Sequence, residues 1–337
     1  MAKFSFVDRR KSSAAASTFF SMVASRKAAT LKPRSLRPGE TVGIVAPASN
    51  FVRQDFDTGC DALRGLGYNV VFEDSVFDRD LYFAGSAERR ARELEAMFVR
   101  KDVKAVLCAR GGYGANYLLP LLDINKIAAN PKAFVGYSDI TSLMTYLNQA
   151  AGLVTFHGPM VAKDFAKEDG IDPGSWAAVF GACDPNFNFA ANSAMQVLVP
   201  GSAEGLLYGG CLSMLAASLG TPYEICTENA VLFIEDVAAK PYQIDRMLMQ
   251  LKLAGKFAEV RGIIFGEMFD CVQPGNQPYT LEDVIMRIVG DLGVPIAYGL
   301  RSGHVSRSNV TLPMGVGARL QAGTSGVNLA ITESPTI

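Results

Sequence analysis

The sequence predicts an α/β protein of two domains, the first built on a mainly parallel sheet with helices on both faces, the second a mixed α/β unit with its own sheet. Three observations lead there. At 337 residues the chain is too long for one comfortable core and suits two domains of ordinary size. Short apolar runs alternate with helical patterns through about residue 165, the signature of βαβ units. Beyond about residue 200 the texture changes to more short strands and fewer helices.

In chain order, "TVGIVAPAS" (41–49) is an apolar run closed by proline and small residues, a strand. Phe51, Phe56, Cys60, Leu63 and Leu66 then recur at helical spacing and a glycine ends the helix. "YNVVFE", the charged helical "SAERRARELEAMFVR" and "KAVLCAR" repeat the alternation. After "GGYGANYLLPLLD" come the strand "KAFVG", the helix "ITSLMTYLNQAAG" and the strand "LVTFHG". From about 159 to 196 the periodicity fades and Gly, Pro, Asn and Asp accumulate, which reads as a linker or crossover. The second half runs "EGLLYGGCLSMLAASLG", "AVLFIEDV", a helix from Pro241 to about Gly255, "RGIIFGEM", a helix near "LEDVIMRIVG", then "PIAYGL", "NVTLPMG", "ARLQAG" and "GVNLAITE". The expected division is a tail or degenerate export signal over 1–35, an α/β/α domain over 36–170, a linker over 171–202 and a C-terminal α/β domain over 203–337.

Lys plus Arg number 32 against 33 Asp plus Glu, so no global field draws in nucleic acid or anionic lipid. No stretch is apolar for the ~20 residues of a membrane span. Cys60, Cys108, Cys183, Cys211, Cys226 and Cys271 lie far apart with no C-x-x-C pair, and several sit in apolar runs. They read as buried free thiols in a reducing, cytoplasmic compartment rather than disulfides or zinc ligands. Only two histidines occur, His157 and His304, which argues against a His-rich metal site, and no cofactor is expected. The opening "VDRRKSSAAASTFFSMVASRKAAT" has the outline of a twin-arginine export signal, which would place the protein in the periplasm, or of a basic tail.

"AFVGYSDIT" places Ser138 on a tight turn between a strand and a helix, at the sheet edge where open α/β folds hold ligands. The next helix aims free N–H groups at the same spot, so the Asp139 amide is suited to steady an oxyanion formed by attack of Ser138. The turn resembles a nucleophile elbow, with Ile140 where G-x-S-x-G has its last glycine. Ser and Asp are equally ordinary helix caps. A serine nucleophile needs a base, and His304 in "GLRSGHVSRSN" and His157 in "TFHGP" are the candidates, each also readable as a structural histidine. The base needs an acidic partner; Glu235 and Asp236 end the run "AVLFIEDV", and strand alternation lets at most one of them face a given cleft. "CARGGYGANY" puts Arg110, Gly111, Gly112 and Gly114 after a strand, where a glycine turn brings backbone N–H groups close to an anion and Arg110 is suited to a carboxylate. It lacks the G-K-[ST] ending of a phosphate loop.

Together "ARGGYG", "PKAFVGYSDIT", "HGPM", "FIEDV" with "PYQIDRMLMQLKLAG", and "GLRSGHV" followed by "LPMGVGA" resemble the L,D-carboxypeptidase family of serine peptidases, which includes muramoyltetrapeptide carboxypeptidases and microcin C immunity peptidases. The resemblance runs from about residue 36 to about 320. It implies Ser138 as nucleophile, Glu235 as acid and His304 as base. It also implies oxyanion donors at Asp139 and Gly112, and a cleft between an N-terminal α/β/α domain and a C-terminal swivelling domain. Arg110, Gly111 and Tyr137 are expected to contact substrate. The implied activity is hydrolysis of the amide joining an L-centre, meso-diaminopimelate or L-lysine, to the terminal D-alanine of murein tetrapeptides in wall recycling. The alternatives are cleavage of aminoacyl-nucleotide amides and, outside enzymes, a wall-peptide binding protein. Relatives are often homodimers, so a homodimer is the implied assembly. Ala238, Ala239 and Lys240 depart from the polar or acidic pattern many relatives carry there, which bears on substrate preference.

Overall fold

The structure is a computed structural model that describes residues 30–181, 187–191, 193–272, 275 and 278–337. Two sheets organise it. The first has the order β11-β5-β4-β3-β1-β2, with strands β1 (Thr41–Val45), β2 (Asn69–Val71), β3 (Val103–Cys108), β4 (Ala133–Gly136), β5 (Thr155–His157) and β11 (Leu312–Met314). Strands β1 to β5 are parallel; β11 is antiparallel to β5, with Leu312 opposite His157. The second sheet, the larger, has the order β13-β12-β7-β8-β9-β10-β6. Its parallel centre is β7 (Gly201–Cys211), β8 (Ala230–Glu235), β9 (Gly262–Gly266) and β10 (Ile296–Leu300), flanked by antiparallel β6 (Gln196–Val199), β12 (Gly317–Gly323) and β13 (Gly326–Ile331).

The expected helices form around the first sheet as α1 (Arg53–Gly65), α2 (Ala87–Val99) and, after a short helix that the apolar pattern does not mark, α3 (Ile124–Ala128), as α4 (Thr141–Ala151). In α1 the buried stripe is Phe56, Gly59, Cys60 and Leu63, as a 3.6-residue period requires. Phe51 is buried ahead of that helix, and Leu66, past its end, is exposed. The stretch read as a linker also carries α5 (Pro173–Phe180), capped by the Asp172 carboxylate on the Ser175 amide. Its exposed face is Pro173, Gly174 and Ala177, none of them polar, so no polar stripe marks the amphipathic period there. The run "NVTLPMG" does not join the second sheet: Leu312–Met314 crosses back and closes the edge of the first. The end of the predicted tail is tied down as well. Leu31 bridges Leu153, Ser35 and Pro33 exchange backbone hydrogen bonds with Ile337, and Lys32 pairs with Glu333 at 2.6 Å. Residues 1–29, which hold the arginine pair, lie outside the described residues, as does Cys183. Among the described cysteines all are free, with Cys226 exposed and the other four buried. Among the described residues no helix is long and apolar enough to cross a membrane.

Strand alternation in the second sheet decides what faces the first domain. Val231 and Phe233 of β8 and Ile264 of β9 enter the apolar core shared with the first sheet. Leu232, Ile234, Ile263 and Phe265 pack instead with α6 (Leu212–Ser218), α7 (Pro241–Leu253) and α8 (Leu281–Val289). One face of the second sheet is therefore an interdomain face and the other a helix-covered face. The sheets meet with the carboxyl ends of β4 and β5 beside those of β7 and β8 and the loop after β10. Open α/β sheets hold ligands at such ends.

Candidate active site

The first-sheet contribution is the turn after β4. Tyr137 is extended, with φ −156°, and Ser138 follows with φ 65°. A non-glycine residue in that region carries strain of roughly 1–2 kcal/mol, and such residues concentrate at functional sites. Ser138 opens a short 3-10 turn, Ser138–Ile140, that leads into α4. Neither Ser138 nor Asp139 caps a helix through its side chain: the residue in the cap position of α4 is Ile140, and no side-chain cap bond forms there. The departure from G-x-S-x-G has a packing reason. A Cβ on Gly136 would lie 2.8 Å from Ile140 Cγ2, so Ile140 occupies the space that Gly136 leaves.

The glycine turn after β3 lies over the serine. A Cβ on Gly111 would stand 2.9 Å from Ser138 Cβ and 3.2 Å from its Oγ, so only glycine fits against the hydroxyl without displacing something. Gly112 has φ +100°, and a Cβ there would meet Ser49 Oγ at 2.5 Å; Ser49 Oγ accepts from the Tyr113 amide at 3.0 Å and holds the turn from the end of β1. Asp139 staples the two turns together. It is buried, and its Oδ2 accepts from the Ala115 amide at 2.7 Å. Burial pushes its pKa up to about 6, against the pull of that hydrogen bond and of Arg90. As an early residue of a helical turn, Asp139 has no intrahelical acceptor for its own amide. Arg110 is exposed at the rim, its guanidinium donating to the Asn50 carbonyl at 2.9 Å.

The second-sheet contribution is Glu235 at the end of β8. It shares the parity of Val231 and Phe233 and so points to the interdomain face, where it is wholly buried. Asp236 has the parity of Leu232 and Ile234 and turns to the helix side, where its Oδ2 accepts from the Ser213 amide in the first turn of α6 at 2.9 Å. His304 meets Glu235 twice: Nδ1 lies 2.8 Å from Oε2, and the His304 amide donates to the same oxygen at 3.0 Å. Burial alone pushes the Glu235 carboxyl up, but the charge and hydrogen bonds of His304, with His157 adding, hold it below its ordinary range. The loop that carries His304 is locked by Asn309, which accepts from the Gly303 amide at 2.9 Å and donates to its carbonyl at 3.0 Å. Gly303 has φ +93°, and a Cβ there would fall 2.6 Å from Glu235 Cδ.

The two halves touch through Tyr137 and Thr141. The Tyr137 ring packs edge-on against the His304 ring with centroids 5.0 Å apart, which brings the imidazole to the residue preceding Ser138. Thr141 Oγ1 accepts from the Cys211 amide at 3.1 Å. Tyr137 itself is wholly buried, its phenol 3.3 Å from Asp164 Oδ1, so its side chain offers substrate no surface. His157, the other candidate base, is sealed at the end of β5. Its Nδ1 lies 2.9 Å from Ser302 Oγ and its Nε2 3.8 Å from Glu235 Oε1, and burial drives its pKa down to about 4. It stays neutral at physiological pH behind the carboxylate. Ser49, Thr141, Asp164, Ser302, Asn309 and Cys211 were not singled out from the sequence as site residues, because each reaches the site through a fold contact that no spacing encodes.

The family profile described as LD-carboxypeptidase N-terminal domain matches residues 42–158, and that described as LD-carboxypeptidase C-terminal domain matches 204–320. The chain is 40% identical over 293 residues to a probable murein peptide carboxypeptidase of Bacillus subtilis, covering 86% of this chain and 91% of that protein. It is 29% identical to the microcin C7 self-immunity protein MccF of Escherichia coli, covering 88% of this chain and 94% of that one. The crystal structure of muramoyltetrapeptide carboxypeptidase from Oxalobacter formigenes superposes with a TM-score of 0.78 at 31% identity, covering 88% of this chain and 100% of that one. Two matched domain profiles in the right order, over more than half of the sequence, mean that the chain belongs to the LD-carboxypeptidase family.

Proposed function

We propose that this protein is a serine-type L,D-carboxypeptidase that releases the terminal D-alanine from murein tetrapeptides. The observation that carries the reading is the buried Glu235–His304 pair, packed against Tyr137 immediately before a serine with φ 65°. In the proposed reaction His304 Nε2 takes the Ser138 proton as Oγ bonds to the carbonyl carbon of the amide between the L-centre and D-alanine. Glu235 holds Nδ1–H and stabilises the imidazolium. The Asp139 amide, with Gly112 on the overlying turn, steadies the oxyanion. His304 then gives its proton to the leaving amine, the C–N bond breaks, and an acyl ester remains on Ser138. Water attacks that ester by the same relay and restores the serine. Arg110 at the rim, with the backbone of Gly111, is placed to receive a substrate carboxylate; the reading assigns Tyr137 a packing role instead.

The proposed division keeps domains over 36–170 and 203–337 joined by 171–202, with the cleft between them, and has two exceptions: β6, inside the linker span, belongs to the second sheet, and β11, inside the C-terminal span, closes the first. The free thiols support a cytoplasmic site of action in wall recycling, with twin-arginine export the alternative, and a homodimer is the proposed assembly. Incubation with a muramoyl tetrapeptide, followed by mass spectrometry, tests the activity. Loss of one alanine with the native chain and none with Ser138→Ala supports it. MccF has been solved with glutamyl sulfamoyl guanosine, so an aminoacyl-adenylate amide belongs in the same assay. Cleavage of that compound alone would replace the murein reading with an immunity-type peptidase, and binding of the tetrapeptide without cleavage of either would replace it with a wall-peptide binder.

A further inference from the structure

Cys211 ends β7 and Glu235 ends β8, and they are register partners in adjacent parallel strands. Their side chains therefore leave the sheet on one face, separated by about the 4.8 Å of neighbouring strands. His304 arrives at the same point from the loop after β10. One sulfur, one carboxylate oxygen and one ring nitrogen of these three residues lie within 4.8 Å of one another, and all three residues are buried. The serine relay uses two of them and leaves the thiol without a role. A thiol held against a carboxylate and an imidazole is suited to coordination, in which a cation displaces the thiol proton.

We propose that Cys211, Glu235 and His304 form a three-ligand site for a thiophilic divalent cation, Zn2+ foremost, and that its occupation switches the serine relay off. A sulfur, nitrogen and oxygen set with one position left for water is a recurrent zinc arrangement. With Zn–S near 2.3 Å and Zn–N and Zn–O near 2.0–2.1 Å, the edges of the tetrahedron come to about 3.3–3.6 Å. Ligand atoms within 4.8 Å of one another need to move by about 1 Å or less to meet that. The Ser213 hydroxyl lies 3.2 Å from Cys211 Sγ, a further polar group at the edge of the set. Mg2+ and Ca2+, which favour six or more oxygen ligands, do not suit the set.

The proton balance explains the inhibition. Binding releases one proton, from the thiol, and the neutral imidazole keeps its single proton on whichever nitrogen the metal does not hold. Metal on Nδ1 leaves the proton on Nε2, which then cannot accept from Ser138; metal on Nε2 occupies the base itself. In both cases Ser138 loses its base. The metal site stands apart from the proposed peptidase activity, while the inhibition rests on it.

The test uses the full chain stripped with a chelator. Added Co2+ should give a thiolate-to-cobalt charge-transfer band and tetrahedral visible bands at one equivalent, displaced by Zn2+. Both should be lost in Cys211→Ser and kept in Cys226→Ser, which removes the exposed thiol. Zn2+ affinity, read by competition with a chromophoric chelator, should fall at least tenfold in Cys211→Ser. D-alanine release should fall more than tenfold at saturating Zn2+, return with EDTA, and be unaffected by Mg2+ or Ca2+. X-ray absorption of the zinc-loaded native chain should show a single sulfur ligand, a readout that needs no variant to fold. No cobalt charge-transfer band in the native chain, or Zn2+ affinity equal in Cys211→Ser, overturns the proposal. A native chain that never releases D-alanine would sink the peptidase reading and leave the cobalt and sulfur signatures to decide the site.

Discussion

Changing Glu235 to Gln removes one charge from the site and almost nothing else. The carboxylate accepts two bonds on one oxygen, from His304 Nδ1 at 2.8 Å and from the His304 amide at 3.0 Å. An amide oxygen can occupy that place and accept both, so packing and hydrogen bonding survive. What is lost is the attraction between the carboxylate and the imidazolium that forms when Ser138 gives up its proton. For unit charges 2.8–4 Å apart at an effective dielectric of about 20, that attraction is about 4–6 kcal/mol. At 1.36 kcal/mol per factor of ten, kcat falls by about 10³ to 10⁴. In one well-studied serine protease triad, the Asp-to-Asn change lowers kcat by about 10⁴ with the geometry intact, the imidazole being left in the wrong tautomer. The assay is D-alanine release from a muramoyl tetrapeptide under single-turnover conditions, beside a thermal melt. Expected are a fall of at least 10³ in the acylation rate and a melting midpoint within a few degrees of the native one. Asp236→Asn, whose carboxylate serves the Ser213 amide on the far face, should stay within a few fold. A fall of less than tenfold in a well-folded Glu235→Gln chain would refute the relay.

Three further outcomes follow from the same contacts. Ser138→Gly should abolish turnover yet raise stability by about 1 kcal/mol, since glycine adopts a φ of 65° without strain; a lower melting midpoint would contradict the strain assigned to the turn. Gly111→Ala, which sets a methyl 3.2 Å from Ser138 Oγ, should lower kcat by at least tenfold with little change in melting, and native activity there would mean that the hydroxyl does not work under that turn. Asp139, raised from 3.8 to about 6 by burial, binds its proton more tightly folded than unfolded. Its stabilising share is present below pH 4 and is lost as pH rises through about 6, a swing of at most about 3 kcal/mol. Asp139→Asn should therefore gain on the native chain as pH climbs from 4 to 7 in denaturant titrations, and a pH-independent difference would count against a buried, raised carboxyl.

Local pattern determined a large part of this protein. The period of apolar residues marks α1 and α4, the short runs mark β1, β3, β4 and β8, and the strand-to-turn transition at "VGYSD" singles out Ser138, because such features depend on neighbours a few positions apart. Where the exposed face is itself free of polar residues or pairing is distant, pattern fails: α5 turns only Pro173, Gly174 and Ala177 outward, and Leu312–Met314 crosses to the edge of a sheet whose neighbouring strand lies more than 150 residues earlier. Pattern alone left Glu235 and Asp236 open and the resemblance pointed to Glu235; which of the two faces the first domain is a property of the packed sheets. His157 and His304 likewise stayed open in the pattern and only the resemblance pointed to His304; that His157 is sealed behind the carboxylate with its pKa near 4 while His304 packs on Tyr137 is a fact of the fold. The approach of Cys211 to both acid and base left no trace in spacing at all. Residue order sets the local conformations; which distant side chains share one low-dielectric pocket is decided only when two sheets bury a common face, because that burial is a collective gain that no single segment can secure.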